Sequence, residues 1–500
     1  MSKPNDSDPN PARFADSLPR SQGFYQAALL AAMGLGIVAV ALGPIHRTFL
    51  HLPTDNNEGW NAYHAVIALS GGVLYPPVDS FISTNYPPLS FYVVGFVGQL
   101  LGDKIVAGRL ISLAGLLMVA VNIYRLARLL GGERFFAGFS SMLFLLYIGT
   151  NASGYVAMND PQWLGHAFVT SGALYFLRAQ TRSRPIGYVL LSSLLCVAGV
   201  LVKQNLIALP LAIFVWSIFD DRRGLLAWTL LSLIIGLGLV ALAMAFYGSM
   251  FLQDILLHPR VMSLRRFDSN VIRFVMPLAP LLLYAALLGA LAWRDQRIRF
   301  ALIYVVVAGA LGLFFLSGEL CDVNIIFDLI IALSISAGLF GSRLVSMFAD
   351  DYRQLAPAAI ALVIASVCLP TIAQALENSV ELIREDRGQR QAYQGLIAEI
   401  ARSKGPVACE MTSLCYWAGK SFELDAQNYL QKIKKGKVSP DLLRQRLDEG
   451  YYTYILATVL PKSTRLATTA FVGDELSRDV EEHYAVVRQV GDQLLLAPRR

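Results

Sequence analysis

Apolar runs long enough to cross a bilayer recur along this chain, and they fix its solvent before any motif is considered. Phe24 to Gly43, Leu225 to Tyr247 and Leu355 to Ala373 each extend, at about 1.5 Å per helical residue, over most or all of a hydrocarbon core of about 30 Å. With 55% hydrophobic and 16% charged residues and a mean hydropathy of +0.50, there is too little charge to clothe a water-facing surface. The chain therefore reads as a polytopic α-helical membrane protein. Spans are expected near 24–43, 105–124, 135–150, 163–177, 186–202, 205–219, 225–247, 272–293, 300–316, 325–340 and 355–373, about eleven transmembrane helices in all. Residues 1–20 are polar and contain Pro and Ser, which predicts a disordered cytoplasmic leader. The first apolar run is long and lacks a small-residue cleavage site, so it does not read as a signal peptide. The formal charge of +6 comes mainly from Arg in short connectors and calls for no nucleic-acid partner.

Charge decides the topology. Arg125, Arg128 and Arg134, then Arg178, Arg182 and Arg184, then Arg222 and Arg223, then Arg294, Arg297 and Arg299, then Arg343 and Arg353 fall on alternate turns. That is the positive-inside pattern. The apolar stretch Pro87 to Gly102 would invert every later loop if it crossed, so it is expected to lie at the outer interface. With the N-terminus inside, residues 21–376 form the transmembrane module, 46–104 its first outer loop, and 377–500 a small outer domain. Strand patterns at Pro406 to Cys409, Tyr454 to Val459, Tyr484 to Val490 and Gln493 to Ala497 alternate with helical ones at Ala392 to Arg402 and Pro440 to Leu447, which predicts α/β structure there. Cys196 and Cys368 read as small core residues and Cys321 sits in a loop. Cys409 and Cys415 are expected as free thiols, with a disulfide as the alternative if that domain is exported.

The outer loops carry the chemistry. The first contains Thr54-Asp55-Asn56-Asn57-Glu58-Gly59-Trp60-Asn61-Ala62-Tyr63-His64. Asp55 and Glu58 would share a helix face as a catalytic pair, and they fit a capping box as well. Asn85-Tyr86-Pro87-Pro88-Leu89 follows in the same loop and Asn159-Asp160-Pro161-Gln162 in the next. Asp160 also suits the N-cap of a helix with Pro at its first position. Lys203 interrupts an apolar stretch at a turn between short spans. The Gly248 to Arg273 loop breaks the charge rule with His258, Arg260, Arg265, Arg266 and Arg273 on the unfavoured side. Guanidinium matches phosphate bidentately, although snorkelling to lipid headgroups explains any one of these cations equally well. Arg109 is expected to pair with Asp55 or Asp160, and Asp322, Asn324 and Asp328 flank another span where they could bond a sugar or cap a helix. Trp60, Tyr63, Tyr86, Tyr155 and Trp163 could stack on a sugar or belong to an interfacial belt.

In Asp55, Glu58, Pro87, Pro88, Leu89, Asp160 and Lys203, the sequence resembles the GT-C superfamily, in the branch of lipid A aminoarabinose transferases, rhizobial galacturonosyltransferases and protein O-mannosyltransferases. The resemblance covers roughly residues 24 to 345; Tyr86 stands where many relatives have His before Pro-Pro. It implies a GT-C-like fold with outer interfacial helices. The activity it implies is transfer of a sugar from a polyprenyl-phosphate donor to a lipid, glycan or protein acceptor at the periplasmic face of a bacterial inner membrane, with the C-terminal α/β domain periplasmic.

Such a donor carries its own activated leaving group, so the enzyme needs a base for the acceptor hydroxyl and positive charge at the departing phosphate. Asp55 is the expected general base, with Glu58 and Asp160 as its catalytic companions. Lys203, Arg260, Arg265, Arg266 and His258 are expected at the donor phosphate. Trp60, Tyr63, Asn85, Tyr86, Arg109, Asp322 and Asn324 are expected to contact substrate. A divalent cation on Asp55 and Asp160 is the one cofactor the resemblance admits. No nucleotide phosphate loop, no Gly-x-Gly-x-x-Gly and no zinc-spaced Cys/His cluster occurs, and the acidic pairs Asp220-Asp221 and Asp350-Asp351 fall on the cytoplasmic side, which disfavours a nucleotide-sugar donor. A carrier or flippase for lipid-linked glycans, or a noncatalytic binder of them, are the rival readings.

Overall fold

The computed structural model describes residues 20–180, 185–258, 260–319, 321–347, 356–459 and 479–499. The leader up to residue 19, Arg182, Arg184, the Asp350-Asp351 pair and Arg353 lie outside the described residues. Among those described, seven segments are long and apolar enough to cross a membrane: Gly23–Arg47, Lys104–Leu129, Gly224–Tyr247, Leu264–Ala292, Gln296–Phe315, Val323–Val345 and Ala356–Arg402. The other expected spans coincide with shorter helices, Arg134–Asn151, Gln162–Ala179, Ile186–Val202 and Ala208–Asp220.

The packing identifies the solvent. Leu226, Leu230, Leu233, Ile234 and Leu237 all stand exposed along one helix, and only 6% of the Gly224–Tyr247 apolar window is buried. Water does not tolerate so continuous an apolar flank, whereas lipid covers it without cost. Val323–Val345 is the opposite case, with 89% of its window buried. It forms the axis of the bundle and packs on Arg134–Asn151, Ala279–Ala292 and Gln296–Phe315. At Gly341 a Cβ would fall on the Phe136 ring, so the close approach of two helices depends on that missing carbon.

Leu89–Leu101 has 13 residues, about 20 Å at helical rise and short of a hydrocarbon core. Both its ends meet the same end of the bundle. At one, Gln204 Nε2 donates to the Asn85 carbonyl at 2.7 Å; at the other, the Lys104 amide donates to Tyr416 Oη at 3.1 Å. The helix therefore lies across that end and does not thread through it. Arg299 pairs with Asp220 among the basic connectors at the opposite end.

The last apolar run does not stop at residue 376, where the transmembrane module is expected to end. Leu369–Arg402 is one helix of 34 residues, so Ala392 to Arg402 is its final portion. It lies along the first span, with Arg47 Nε donating to Asp386 Oδ1 at 2.8 Å and the Gly43 amide donating to Ser379 Oγ at 2.8 Å. Beyond it stands a four-stranded sheet of β1 (Val407–Cys409), β2 (Tyr454–Thr458), β3 (Tyr484–Val490) and β4 (Gln493–Pro498) in the order β1-β2-β4-β3. β1 and β2 are parallel and the other pairs antiparallel. Asp441–Asp448 is helical as expected, and two further helices, Thr412–Trp417 and Ala426–Lys434, pack around the sheet.

The expectation of free thiols is corrected here: Cys409 and Cys415 form a disulfide, with their Cα atoms 6.2 Å apart. β1 ends at Cys409 and the Thr412–Trp417 helix turns straight back, which brings two cysteines six positions apart within bridging range.

Candidate functional site

The loops at this end of the bundle are stitched together by one buried ion pair. Arg109 and Glu58 are both 0% exposed, and the contact is bidentate, with Arg109 Nε 2.7 Å from Glu58 Oε1 and Nη2 2.6 Å from Oε2. The remaining guanidinium hydrogens go to the carbonyls of Arg47 (2.7 Å), Leu50 (2.8 Å) and Leu52 (2.8 Å). Arg109 thus satisfies the backbone where the chain leaves the first span, which explains a charge at that depth. The loop before Gln162–Ala179 is bound to the same pair: the Asn159 amide donates to Glu58 Oε1 at 3.1 Å, and its Nδ2 donates to the Glu58 carbonyl at 2.8 Å.

On this frame stands Asp55. It is the N-cap of Asn56–Ser70, in extended conformation, with Oδ1 accepting from the Asn57 amide at 2.8 Å. The N-cap reading holds, and the residue also borders a cavity. Glu58 does not complete a capping box; it accepts from the Thr54 amide at 3.2 Å instead. Burial pushes Asp55 up to about 6, against the Asn57 hydrogen bond, with the charges of Glu58, Asp160 and Asp322 adding to the rise.

Asp160 caps the following helix through the Gln162 amide at 2.8 Å and pairs with Lys203 Nζ at 3.3 Å. Both are 4% exposed. Lys203 Nζ also lies 4.8 Å from the centre of the Tyr86 ring, a cation–π contact. Lys203 is the extended residue that ends Ile186–Val202, so the turn read from the sequence is what aims it.

A cavity of about 310 Å³ opens between these loops and the C-terminal domain. Asp55, Trp60, Asn85, Tyr86, Asp322 and Asn324 line it from the membrane module, together with Arg260, Arg266 and Arg273. Asp322 accepts from Tyr155 Oη at 3.2 Å and makes no side-chain cap bond, so its carboxylate is turned to the cavity. Glu410, Thr412, Asp425 and Asn428 roof it from the C-terminal domain. A second cavity of about 260 Å³ shares Asn85, Tyr86, Arg260 and Asn324 and adds Lys203 and His258.

The two parts meet closely. Trp60 Nε1 donates to Asp425 Oδ2 at 2.8 Å, Thr412 Oγ1 donates to the Asn56 carbonyl at 2.6 Å, and a Cβ at Gly59 would fall on the backbone of Thr412 and Ser413.

The expected site residues therefore sort by position. Asp55, Trp60, Asn85, Tyr86, Asp322, Asn324, Arg260 and Arg266 meet at one cavity, with Lys203 and His258 in the adjoining one. Glu58 and Arg109 are taken up by each other, and Arg109 pairs with neither Asp55 nor Asp160. Tyr63 is buried against the C-terminal domain, its ring stacked on Phe422 at 4.8 Å and its hydroxyl on the Lys420 carbonyl. Arg265 is exposed and borders neither cavity, since it follows Leu264 in a short helix that presents Arg266 instead. Asp328 lies in the core under Tyr304 Oη at 2.6 Å. Glu410, Asp425 and Asn428 were not anticipated, because no spacing in the sequence ties the C-terminal domain to the first loop.

Among the described residues no three His, Cys, Asp or Glu side chains cluster as a metal site. Asp160, one of the two carboxylates expected to hold a cation, is paired with Lys203.

Comparisons with known proteins agree with this fold. The family model for dolichyl-phosphate-mannose-protein mannosyltransferases matches residues 85–247. No curated protein sequence matches the chain. Among solved structures, ArnT from Cupriavidus metallidurans in the apo state superposes with a TM-score of 0.64 at 15% identity, covering 94% of this chain and 97% of that one. The same protein bound to undecaprenyl phosphate gives 0.58 at 15% identity over the same shares, 94% and 97%. The archaeal oligosaccharyltransferase AglB from Archaeoglobus fulgidus, in complex with an inhibitory peptide and a dolichol-phosphate, gives 0.58 at 12% identity, covering 96% and 75%.

Proposed function

Starting from a chain with the GT-C glycosyltransferase fold, we propose that it moves a sugar from a polyprenyl-phosphate donor to a lipid, glycan or protein acceptor at the periplasmic face of a bacterial inner membrane. The observation that carries this reading is the cavity in which Asp55 is grouped with Arg260, Arg266 and Arg273. The base and the anion-binding charges are thereby within one substrate's reach. The undecaprenyl phosphate held by ArnT and the dolichol-phosphate held by AglB support a lipid phosphate as the donor's anchor. The Cys409–Cys415 disulfide supports an oxidising compartment for the C-terminal domain.

Asp55 takes the proton from the acceptor hydroxyl, whose oxygen bonds to the anomeric carbon as the bond from that carbon to the phosphate oxygen breaks. The electron pair leaves with the polyprenyl phosphate, whose charge meets the guanidinium groups. The proton on Asp55 is then lost to water. A carboxyl held near 6 is a stronger base than an ordinary aspartate yet is mostly ionised at neutral pH. Lys203, charge-paired with Asp160 beside Tyr86, supplies further positive potential where the second cavity adjoins the first.

The test uses the purified protein in lipid nanodiscs with labelled undecaprenyl-phosphate sugars and an envelope-lipid extract as acceptor source. The wild-type chain should release undecaprenyl phosphate. Asp55→Asn should lower that release by about 100-fold or more while still binding the lipid phosphate. Turnover of Asp55→Asn within a few-fold of wild type would remove Asp55 as base, and failure with every donor would remove the enzyme.

A further inference from the structure

The sequence assigns no chemistry to the C-terminal domain, but the structure puts one of its carboxylates in the cavity wall. Glu410 follows β1 directly and sits between the two disulfide-bonded cysteines, so its turn is pinned covalently. It is 6% exposed. Thr458 is its side-chain partner, with the amide donating to Oε2 at 2.7 Å. Among the described residues no Lys, Arg or His pairs with it. Burial pushes it up to about 7. Two residues on, Thr412 bonds the carbonyl of Asn56, the neighbour of Asp55, so Glu410 is tethered to the reacting end of the cavity.

A buried carboxylate without a cation is expensive to keep unless donors reach it. The remaining open side of Glu410 is the cavity. Above about pH 7, where Glu410 is ionised, a phosphate there would be repelled, and so would a sugar carboxylate; hydroxyl and ammonium groups would be welcomed.

We infer that Glu410 is a sugar-recognition residue, accepting hydrogen bonds from hydroxyl or ammonium groups of the transferred sugar, and that the donor carries a neutral or amino sugar in preference to a uronic acid. This rests on the donor class proposed above and adds the sugar's chemistry to it. The C-terminal domain then forms the sugar-binding half of the site, facing the guanidinium groups that hold the lipid phosphate.

The test measures Kd in nanodiscs, with the full chain, for bare undecaprenyl phosphate and for the same lipid carrying a neutral hexose, an amino sugar or a uronic acid. Wild type should bind the neutral or amino conjugate more tightly than the bare lipid and gain nothing from the uronic acid. Glu410→Ala should remove that gain, about ten-fold for a hydrogen bond to a charged acceptor, and leave bare-lipid binding unchanged. Glu410→Gln keeps an acceptor oxygen and should retain part of the gain for the hexose while losing it for the amino sugar.

Bare-lipid binding doubles as the folding control, and the Gln variant carries the comparison if the Ala variant fails it. A sugar gain unaltered in the variants, a wild-type preference for the uronic acid, or no sugar gain at all would overturn the role of Glu410. A wild-type chain that does not bind the bare lipid would instead bring down the donor class, and this inference with it.

Discussion

Replacing Arg109 with Met tests whether Glu58 belongs to the frame or to the chemistry. The substitution roughly keeps the volume and removes every donor. Glu58 would be left charged at 0% exposure, with backbone amides as its remaining partners. Stranding one partner of a buried ion pair costs about 3–5 kcal/mol. The carbonyls of Arg47, Leu50 and Leu52 would lose their bonds to Arg109 as well, each worth about 1 kcal/mol and not strictly additive. The expected loss is therefore about 4–7 kcal/mol, a large share of the 5–15 kcal/mol typical of a folded protein.

The assay is the yield of monodisperse protein together with the apparent Tm in one detergent at one scan rate, since membrane-protein unfolding is seldom reversible. Arg109→Met should fall by roughly 5 °C or more, and Glu58→Gln added to it should recover part of the drop by removing the stranded charge. A single variant as stable as wild type, or a double variant worse than the single, would refute a structural pair and return Glu58 to the catalytic group.

Two other outcomes follow from the same geometry. Gly59→Ala should push the Thr412–Trp417 helix off Asn56–Ser70, because the added Cβ lands on backbone and not on a flexible side chain; limited proteolysis should then cut the C-terminal domain faster at little cost to secondary structure by circular dichroism, and unchanged protection would count against the close docking. Turnover should rise with pH through about 6 as Asp55 ionises and level off toward neutrality, whereas folding stability should move the other way: the folded state holds the Asp55 proton more tightly than the unfolded chain, so stability is lost as pH rises from the ordinary 3.8 through about 6. In Asp55→Asn that part of the stability–pH slope should flatten, and a slope identical to wild type would mean that burial does not govern this carboxyl.

Much of this architecture was legible because the bilayer imposes simple rules. Apolar run length located the helices, and charge asymmetry kept Leu89–Leu101 from being read as a span, which its ties at both ends bear out. Strand alternation found β1 to β4 to within a residue or two. Pairing was harder to read. Arg109 and Glu58 are 51 positions apart, and nothing local distinguishes Glu58 from Asp55 as the one that meets a guanidinium. Likewise Arg265 and Arg266 differ only in which way one short helix faces. The part played by Glu410 depends on a fold-back across more than 350 residues, recorded in the Thr412–Asn56 bond, and no motif spans such a distance. The disulfide was underestimated for a related reason: short spacing alone does not reveal that a strand end and a reversed helix will bring two Cβ atoms together.

The carboxylates around this site divide by one criterion, whether a buried cation already answers them. Glu58 has Arg109 and Asp160 has Lys203; in each case the pair sets the position of a loop. Asp55, Asp322, Glu410 and Asp425 have no such partner among the described residues and all four border the same cavity, although Trp60 and Asn428 already donate to Asp425. Glu410 is buried and Asp55 half-buried, while Asp322 is exposed; withdrawing unpaired carboxylates from water is unfavourable, and folding alone gives no reason to gather them where Arg260, Arg266 and Arg273 also converge. A ligand with an anionic end and a hydroxyl-rich end resolves the conflict, because its phosphate meets the guanidinium groups while its hydroxyls, and the proton released in the reaction, meet the carboxylates. A lipid-phosphate sugar is such a ligand, and the separation of paired from unpaired acids within one small region is the feature that a purely structural account of these residues does not explain.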